Sequence, residues 1–373
     1  MQYNMRVRIK MMLKQKEHNY ILIMAGGAGT RLYPRSTEDL PKQFQKIVGE
    51  KTLIEQTYDR AIQIAHPSHI YISSNHKYVH LIKKYLPKIP KENYITEPVK
   101  KNTGPAIALA TAMICKKDPK AIIVSLHSDH LVVKNEEFRK SIIAGIHAVQ
   151  KNPEYILCIG ITPTSPHTGF GYIEKSKKFG VEDEYGIYKA KRFVEKPNLE
   201  IAKKYLASGN FFWNAGYFVW QGKHFLSELK KFGPEIHKGV LKIVKNQNTK
   251  NFTTILDKEF SSFKEIAIDN LIMEKTKDLL VLPVDIGWSD VGSWDVVVGM
   301  VSHQLKDLNG NYTEGTAIHV DTHNTTVLSH DHTRVIATIG LDNFIVITTE
   351  EAIVIVPKGR SEDVKKIVEK LKK

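Results

Sequence analysis

Ile21-Leu-Ile-Met-Ala-Gly-Gly-Ala-Gly-Thr-Arg-Leu32 decides how the rest of the chain is read. Ile21 to Ala25 is an unbroken apolar run that stops at Gly26-Gly27, the pattern of a strand covered on both faces. Similar runs follow at His69-Ile-Tyr-Ile-Ser73, Ala121-Ile-Ile-Val-Ser125 and Tyr155-Ile-Leu-Cys-Ile-Gly160. Between them lie helical periods, for example Leu53, Ile54, Tyr58, Ala61, Ile62 and Ala65, opened by Thr52 with Glu55 three residues on. Strands alternating with helices at this spacing predict an α/β fold with a mostly parallel sheet, and the ligand site is expected at the carboxyl ends of its strands.

The texture changes near residue 310. Thr316-Ala-Ile-His-Val320, Thr325-Thr-Val-Leu328, Val335-Ile-Ala-Thr-Ile339, Phe344-Ile-Val-Ile-Thr348 and Ile353-Val-Ile-Val356 are short β-rich pieces closed by Asp, Asn, Gly or His. They predict a small all-β unit, a short solenoid whose apolar residues need a surface to pack on. Ser361 is expected to cap a last helix carrying Val364, Ile367, Val368 and Leu371 on one face. The division predicted is a basic extension over 1–19, a catalytic domain over 20–309, and a β unit with its terminal helix over 310–373. Such a β unit suits packing against the catalytic domain or a second copy, so a homo-oligomer, a dimer, is expected.

Composition narrows the function. The chain has 373 residues, 42% of them hydrophobic and 25% charged, which is ordinary for a folded globular protein. It has no apolar run of membrane-spanning length, and its first nineteen residues lack the apolar stretch of a secretory signal, so a cytoplasmic protein with no membrane partner is expected. Cys115 and Cys158 are too few for a disulfide framework and read as core residues. The net charge is +14, but residues 1–18 set five cations against Glu17, and residues 358–373 set seven against three acids. The two ends thus hold eight of the fourteen charges, and no stripe of alternating basic and aromatic residues marks a nucleic-acid face. A small anionic substrate fits the remainder better than a nucleic acid.

The glycine-rich turn after the first strand is suited to phosphate. Its backbone N–H groups can approach phosphate oxygens, and a helix starting after it would add a favourable dipole. It is not a Walker loop, and Leu32 stands where a dinucleotide-binding fingerprint needs its third glycine. Arg31 and Lys42, the latter in Pro41-Lys-Gln43, bring two cations toward the same polyphosphate. Asp129 ends the run Ile122-Ile-Val-Ser-Leu-His-Ser-Asp129, and Asp290 lies in Gly287-Trp-Ser-Asp-Val-Gly-Ser-Trp294. Two separated carboxylates suit Mg2+, which takes one or two carboxylates plus phosphate oxygens; a turn or cap role for each is the alternative, and His127 and His130 leave a transition-metal site open. Lys196 in Phe193-Val-Glu-Lys-Pro197 can pair with a phosphate monoester, while Glu195 and Asn214 offer groups suited to hydroxyls. Plain alternatives are a surface ion pair for Glu195 and Lys196 and a turn for Asn214-Ala-Gly216.

Taken in order, these segments resemble the sugar-phosphate nucleotidyltransferases. Ala25-Gly-Gly-Ala-Gly-Thr-Arg-Leu32, Pro41-Lys-Gln43, Glu97-Pro98, Asn102-Thr103, Pro105-Ala-Ile107, Asp129-His130, Gly169-Phe-Gly-Tyr-Ile173, Phe193-Val-Glu-Lys-Pro197, Asn214-Ala-Gly216 and Trp288-Ser-Asp-Val-Gly-Ser-Trp294 carry the resemblance, which runs from about Ile21 to Val356. It implies a Rossmann-like catalytic domain followed by a left-handed β-helix. It also implies transfer of GMP from GTP to mannose 1-phosphate by in-line attack on the α-phosphorus, with Mg2+ as cofactor. On that resemblance Ala25, Gly26, Gly27, Gly29 and Thr30 cradle the nucleotide, with Arg31 and Lys42 on its phosphates. Asn102 and Thr103 face the base; Gly171, Glu195, Lys196 and Asn214 take the sugar phosphate; Asp129 and Asp290 hold the metal. Lys101, Gly104, Phe170 and Asn270 depart from the usual pattern, the first two beside the base-facing segment. Longer bacterial relatives carry an isomerase domain after this point, so a single activity is expected here. Another nucleotide or hexose phosphate, or a silent sugar-nucleotide sensor, are the competing readings.

Overall fold

The computed structural model describes residues 17–27, 29–301, 303–330 and 334–371. The basic extension therefore lies almost entirely outside the described residues. The chain forms two compact units. The first holds the described residues up to Gly26, then Glu55–Ser128 and Val132–Trp288; the second holds Gly27–Ile54, Asp129–Leu131 and Ser289 onward.

The first unit is built on a nine-stranded sheet. Its strands are β1 (Asn19–Met24), β2 (Ile70–Asn75), β3 (Tyr94–Glu97), β4 (Ile122–His127), β5 (Ile156–Ile161), β6 (Tyr172–Glu182), β7 (Tyr185–Val194), β8 (Phe211–Gln221) and β9 (Leu279–Val284), in the spatial order β3-β2-β1-β4-β8-β5-β9-β7-β6. β3, β2, β1 and β4 run parallel, as do β5 and β9, while β8 pairs antiparallel with β4 and β5. β1 is buried along its whole length, which is why its sequence is apolar without alternation. Helices α1 (Thr103–Lys117), α2 (Asn135–Lys151), α3 (Gly222–Phe232) and α4 (Pro234–Lys245) pack around the sheet. α1 has ten buried residues of fifteen, so it is an internal helix, apolar all round. Its Asn102 cap accepts the Thr103 N–H at 2.8 Å. Trp220, Phe218, Phe225, Ile123 and Cys158 lie in the core. Cys115 and Cys158 are free thiols, both pushed up by burial, Cys115 to about 12.

The second unit carries the short strands β10 (Tyr312–Glu314), β11 (Ala317–Val320), β12 (Thr326–Ser329), β13 (Ile336–Ile339), β14 (Phe344–Thr348) and β15 (Ile353–Pro357). β10, β12 and β14 pair in parallel, as do β11 and β13, giving stacked rungs of a β-helix-like unit closed by antiparallel β15. Its core joins Leu328, Ile345, Ile347, Val354 and Val356 to Leu32, Ile47, Leu53 and Trp294. The apolar residues of the rungs divide by face. Val327, Leu328, Ile345 and Ile347 are buried, whereas Ile318, Val320, Val335, Ile353 and Ile355 are exposed in the single chain.

Ser361 does not cap the last helix. It lies in a separate 3₁₀ turn, where its hydroxyl donates to Asp295 Oδ2 at 2.6 Å and accepts the Asp295 N–H at 3.0 Å; the helix begins at Val364. Only Val364 of its apolar face is buried, and Ile367 and Leu371 are exposed. Among the described residues no helix is long and apolar enough to cross a membrane.

Candidate active site

The expected site residues fall into two sets, each inside one unit. The glycine loop that follows β1 enters the second unit at Gly27, and Gly29 takes the left-handed conformation at φ 61°. A Cβ there would lie well inside contact distance of Lys42 Cβ, so the loop needs glycine both for its backbone and for the closeness of Lys42. No α-helix follows: Thr30–Leu32 is a single 3₁₀ turn, which corrects the expectation of a helix dipole behind the loop. Phosphate binding here would rest on backbone N–H groups and side-chain cations.

Lys42 is the centre of this set. Its ammonium lies 3.0 Å from Asp129 Oδ2 and donates to the Asp290 carbonyl at 2.7 Å, with only 7% of its side chain exposed. One buried cation thus joins the two segments from which a metal pair was expected. Gly27 faces Asp129 as well, since a Cβ on it would stand 3.9 Å from Oδ2. Asp290 Oδ1 accepts the Gly292 N–H at 3.2 Å. Between them Val291 is buried at φ 48°, an unusual place for a β-branched residue, held by its N–H to Ser289 Oγ at 3.1 Å. Asp129 and Asp290 supply hard oxygen donors, so the residues present fit a magnesium ion completed by phosphate oxygens.

Arg31 points elsewhere. Its Nη1 lies 3.1 Å from both carboxylate oxygens of Glu362, in the turn before the terminal helix. Leu32, the next residue, is fully buried among the apolar residues of β12, β14 and β15. The β unit was expected to pack on the catalytic domain or on a second copy, and its strands share their core with Leu32, next to Arg31 in the glycine loop.

The second set lies in the first unit. Lys196 stands at φ 48°, and its ammonium pairs with Glu195 Oε1 at 2.9 Å. Glu195 Oε2 is buried without a hydrogen-bond partner among the described residues. A Cβ on Gly171 would meet that oxygen at 2.5 Å, so glycine at 171 is what leaves it room. The Gly171 carbonyl accepts the Asn214 N–H at 2.8 Å. Asn214 is largely committed: Nδ2 donates to Asp269 Oδ1 at 2.8 Å, and Oδ1 accepts the Gly216 N–H at 2.9 Å and the Cys158 thiol at 3.4 Å. Asn102 caps α1, and Thr103 Oγ1 accepts the Ile268 N–H at 2.9 Å, so the groups expected at the base also fix the backbone around them. Ala25 and Gly26 end the strand in this unit; the Ala25 N–H donates to Ser73 O at 2.8 Å and its carbonyl accepts from Ser74 Oγ at 2.8 Å.

Asp269, Glu274 and Glu362 were not expected. Each touches a residue that was, but across 55, 79 and 331 positions of sequence respectively, where no local spacing could show it.

One set of residues suited to polyphosphate and another suited to a hydroxyl-bearing phosphate invite comparison with known proteins. Residues 20–306 match the nucleotidyl transferase family, and residues 315–371 match the MannoseP isomerase/GMP-like β-helix domain. The chain belongs to the nucleotidyl transferase family. Among curated relatives of this nucleotidyl transferase, mannose-1-phosphate guanylyltransferase of Escherichia coli (strain K12) is 33% identical over 95% of this chain and 73% of its own length. Xanthan biosynthesis protein XanB of Xanthomonas campestris pv. campestris is 35% identical over 94% of this chain and 73% of its own. Among solved structures, mannose-1-phosphate geranyltransferase from Thermus thermophilus superposes with a TM-score of 0.84 at 26% identity, covering 95% of this chain and all of that one.

Proposed function

We propose that this nucleotidyl transferase moves GMP from GTP to mannose 1-phosphate, forming GDP-mannose and pyrophosphate. The observation that carries the reading is Glu195 and Lys196: a buried carboxylate oxygen with no partner beside an ammonium on a left-handed residue. An unsatisfied acceptor asks for a hydroxyl, and a neighbouring cation for a phosphate, which are the two ends of a sugar phosphate. The activity named for the Escherichia coli relative supplies the guanine and the mannose.

In this mechanism an oxygen of the sugar phosphate attacks the α-phosphorus of GTP; the new P–O bond forms as the bond to the β-phosphate bridging oxygen breaks, and that oxygen leaves with pyrophosphate. No protein nucleophile is needed, so the residues act by position and charge. Lys196 holds the attacking phosphate, and Glu195, in the space Gly171 leaves, accepts from a sugar hydroxyl. The backbone of Gly26, Gly27 and Gly29 follows the triphosphate, and Lys42 neutralises the charge that grows on it. Arg31 joins Lys42 when a phosphate replaces Glu362 as its partner. Asn102 and Thr103 shape the base side. Asp129 and Asp290 would hold Mg2+, which supplies further neutralisation of the phosphates when bound. A second copy is read as the cover for Ile318, Val320, Ile353 and Ile355 on the outer face of the rungs; a light-scattering mass of one chain would refute that dimer.

Pyrophosphate release is measured with GTP, ATP, UTP and dTTP against several hexose 1-phosphates, with and without magnesium. The GTP and mannose 1-phosphate pair should have the highest kcat/KM and require the metal. A higher value for another pair overturns the specificity, and no release from any pair overturns the enzyme.

A further inference from the structure

One short stretch, residues 266–274, bonds both the sugar-phosphate residues and the segment expected at the base. Asp269–Met273 forms a single wide π turn, closed by the Glu274 N–H on Asp269 O at 2.9 Å. Such turns are rare and collect at functional sites. On one side the Ile266 N–H donates to Lys101 O at 3.2 Å, Ile266 O accepts the Gly104 N–H at 2.9 Å, and the Ile268 N–H reaches Thr103 Oγ1. On the other, Asp269 holds Asn214, and Glu274 accepts the Glu195 N–H at 3.2 Å while Asn270 Nδ2 steadies its second oxygen at 2.9 Å.

An asparagine amide has two N–H donors and one carbonyl oxygen, and nothing in its own shape decides which way it faces. Here Oδ1 is fixed by Gly216 and Cys158, and one Nδ2 hydrogen by Asp269. The second Nδ2 hydrogen then has a single direction left to it. Burial and the Glu195 carboxylate push Asp269 up to about 6, against the pull of Lys196 and of its bond to Asn214.

Resting on the reading of Asn214 as a sugar-phosphate residue, we propose that Asp269 is a positioning residue for the sugar phosphate: it orients the Asn214 amide so that its remaining N–H meets the substrate. It acts through Asn214 and on the sugar half only.

The test is steady-state kinetics of the full chain with GTP, mannose 1-phosphate and magnesium for N214A, D269A, D269N and the double variant N214A/D269A. N214A should raise KM for the sugar phosphate by about tenfold, the loss of one oriented hydrogen bond. D269A should do the same with KM for GTP unchanged, whereas D269N, whose side-chain oxygen still accepts, should stay within about threefold. Because the two residues act in series, the double variant should be no worse than N214A alone. A sugar-phosphate KM in D269A equal to wild type, an equal rise in KM for GTP, or a double variant equal to the product of the singles overturns the inference. If D269A does not fold, Asp269→Glu moves the acceptor by one methylene and must raise the sugar-phosphate KM alone. An unchanged KM in N214A overturns the site reading together with the inference, while a raised KM in N214A beside a normal D269A overturns the inference only.

Discussion

Gly29→Ala tests the phosphate half of the site with one methyl group. Gly29 stands at φ 61°, where an L-residue costs about 1–2 kcal/mol, so a melting point lower by a few degrees is expected from the backbone alone. The added Cβ also meets Lys42 Cβ, near the backbone, where the neighbour is not a flexible tip. To restore ordinary contact Lys42 must move by about 1 Å, a misplacement that can cost about 100-fold in rate. That movement strains its 3.0 Å pair with Asp129 and its 2.7 Å bond to Asp290 O together. The expected result is a kcat/KM for GTP down by about 100-fold in a protein that still folds, read by pyrophosphate release and by calorimetry. Gly26→Ala is the control for crowding inside the protein, since a Cβ at Gly26 has no atom within 4 Å; it should leave the melting point of the ligand-free protein unchanged. Wild-type turnover in Gly29→Ala would refute the argument that the placement of Lys42 governs the chemistry.

Asp129→Asn and Asp290→Asn should each lower turnover by about 1,000-fold or more at saturating magnesium while the fold persists; near-normal turnover in either removes that aspartate from the metal. Glu362→Gln releases Arg31 from an exposed pair, so KM for GTP should fall, by no more than about fivefold, and the effect should shrink in high salt; a rise would show that Glu362 holds Arg31 in its working position. Burial pushes Glu97 up to about 7, only partly offset by the Ser73 hydroxyl that it accepts at 2.9 Å. A raised carboxyl pKa means that the folded state holds its proton longer than the unfolded one, so this stability is present below the ordinary glutamate range and lost as pH rises through about 7. Glu97→Gln should therefore melt higher than wild type at pH 8 and alike near pH 4; parallel melting curves across that range would refute the assignment. Ending the chain at Gly310 removes Leu328, Ile345, Ile347, Val354 and Val356 from around Leu32, and Glu362 from Arg31. Aggregation with loss of turnover is expected, and a truncated chain with normal kcat and mass would refute the support given by the C-terminal strands.

What the sequence made legible is whatever a few adjacent residues decide. The continuous apolar run of β1, the glycines after it and the Phe193-Val-Glu-Lys-Pro197 motif are local statements, and each led to an element or a side chain in the described structure. Even so, the glycine loop passes into one 3₁₀ turn instead of a helix. Its geometry is set by Leu32 burying itself among strands nearly three hundred residues later, not by the propensity of Thr30 and Arg31. The alternation in Ala317-Ile-His-Val320 signals strand, yet alternation alone does not say which face finds a partner, and here Ile318 and Val320 face outward.

The division of the site follows the same logic. Lys42 is recognisable beside Pro41, but nothing in Pro41-Lys-Gln43 reveals that its ammonium will bind an Asp129 carboxylate and an Asp290 carbonyl at once. The chemical types proposed for the site came from the sequence because phosphate needs cations and backbone N–H groups, a metal needs carboxylates, and a sugar needs hydrogen-bonding side chains. Their partners were not, because an acid such as Asp269 differs from a solvated surface acid only by what tertiary structure stacks around it. Burial and Glu195 raise its pKa, and Asn214 gives it a donor. The residues proposed to touch substrate are therefore the ones a motif can announce, while the acid proposed to orient Asn214 lies on a segment whose sequence reads as ordinary helix or loop. That asymmetry is why the Ile268-Asp-Asn-Leu stretch, rather than another glycine of the loop after β1, is where we propose control over the proposed sugar-phosphate residues.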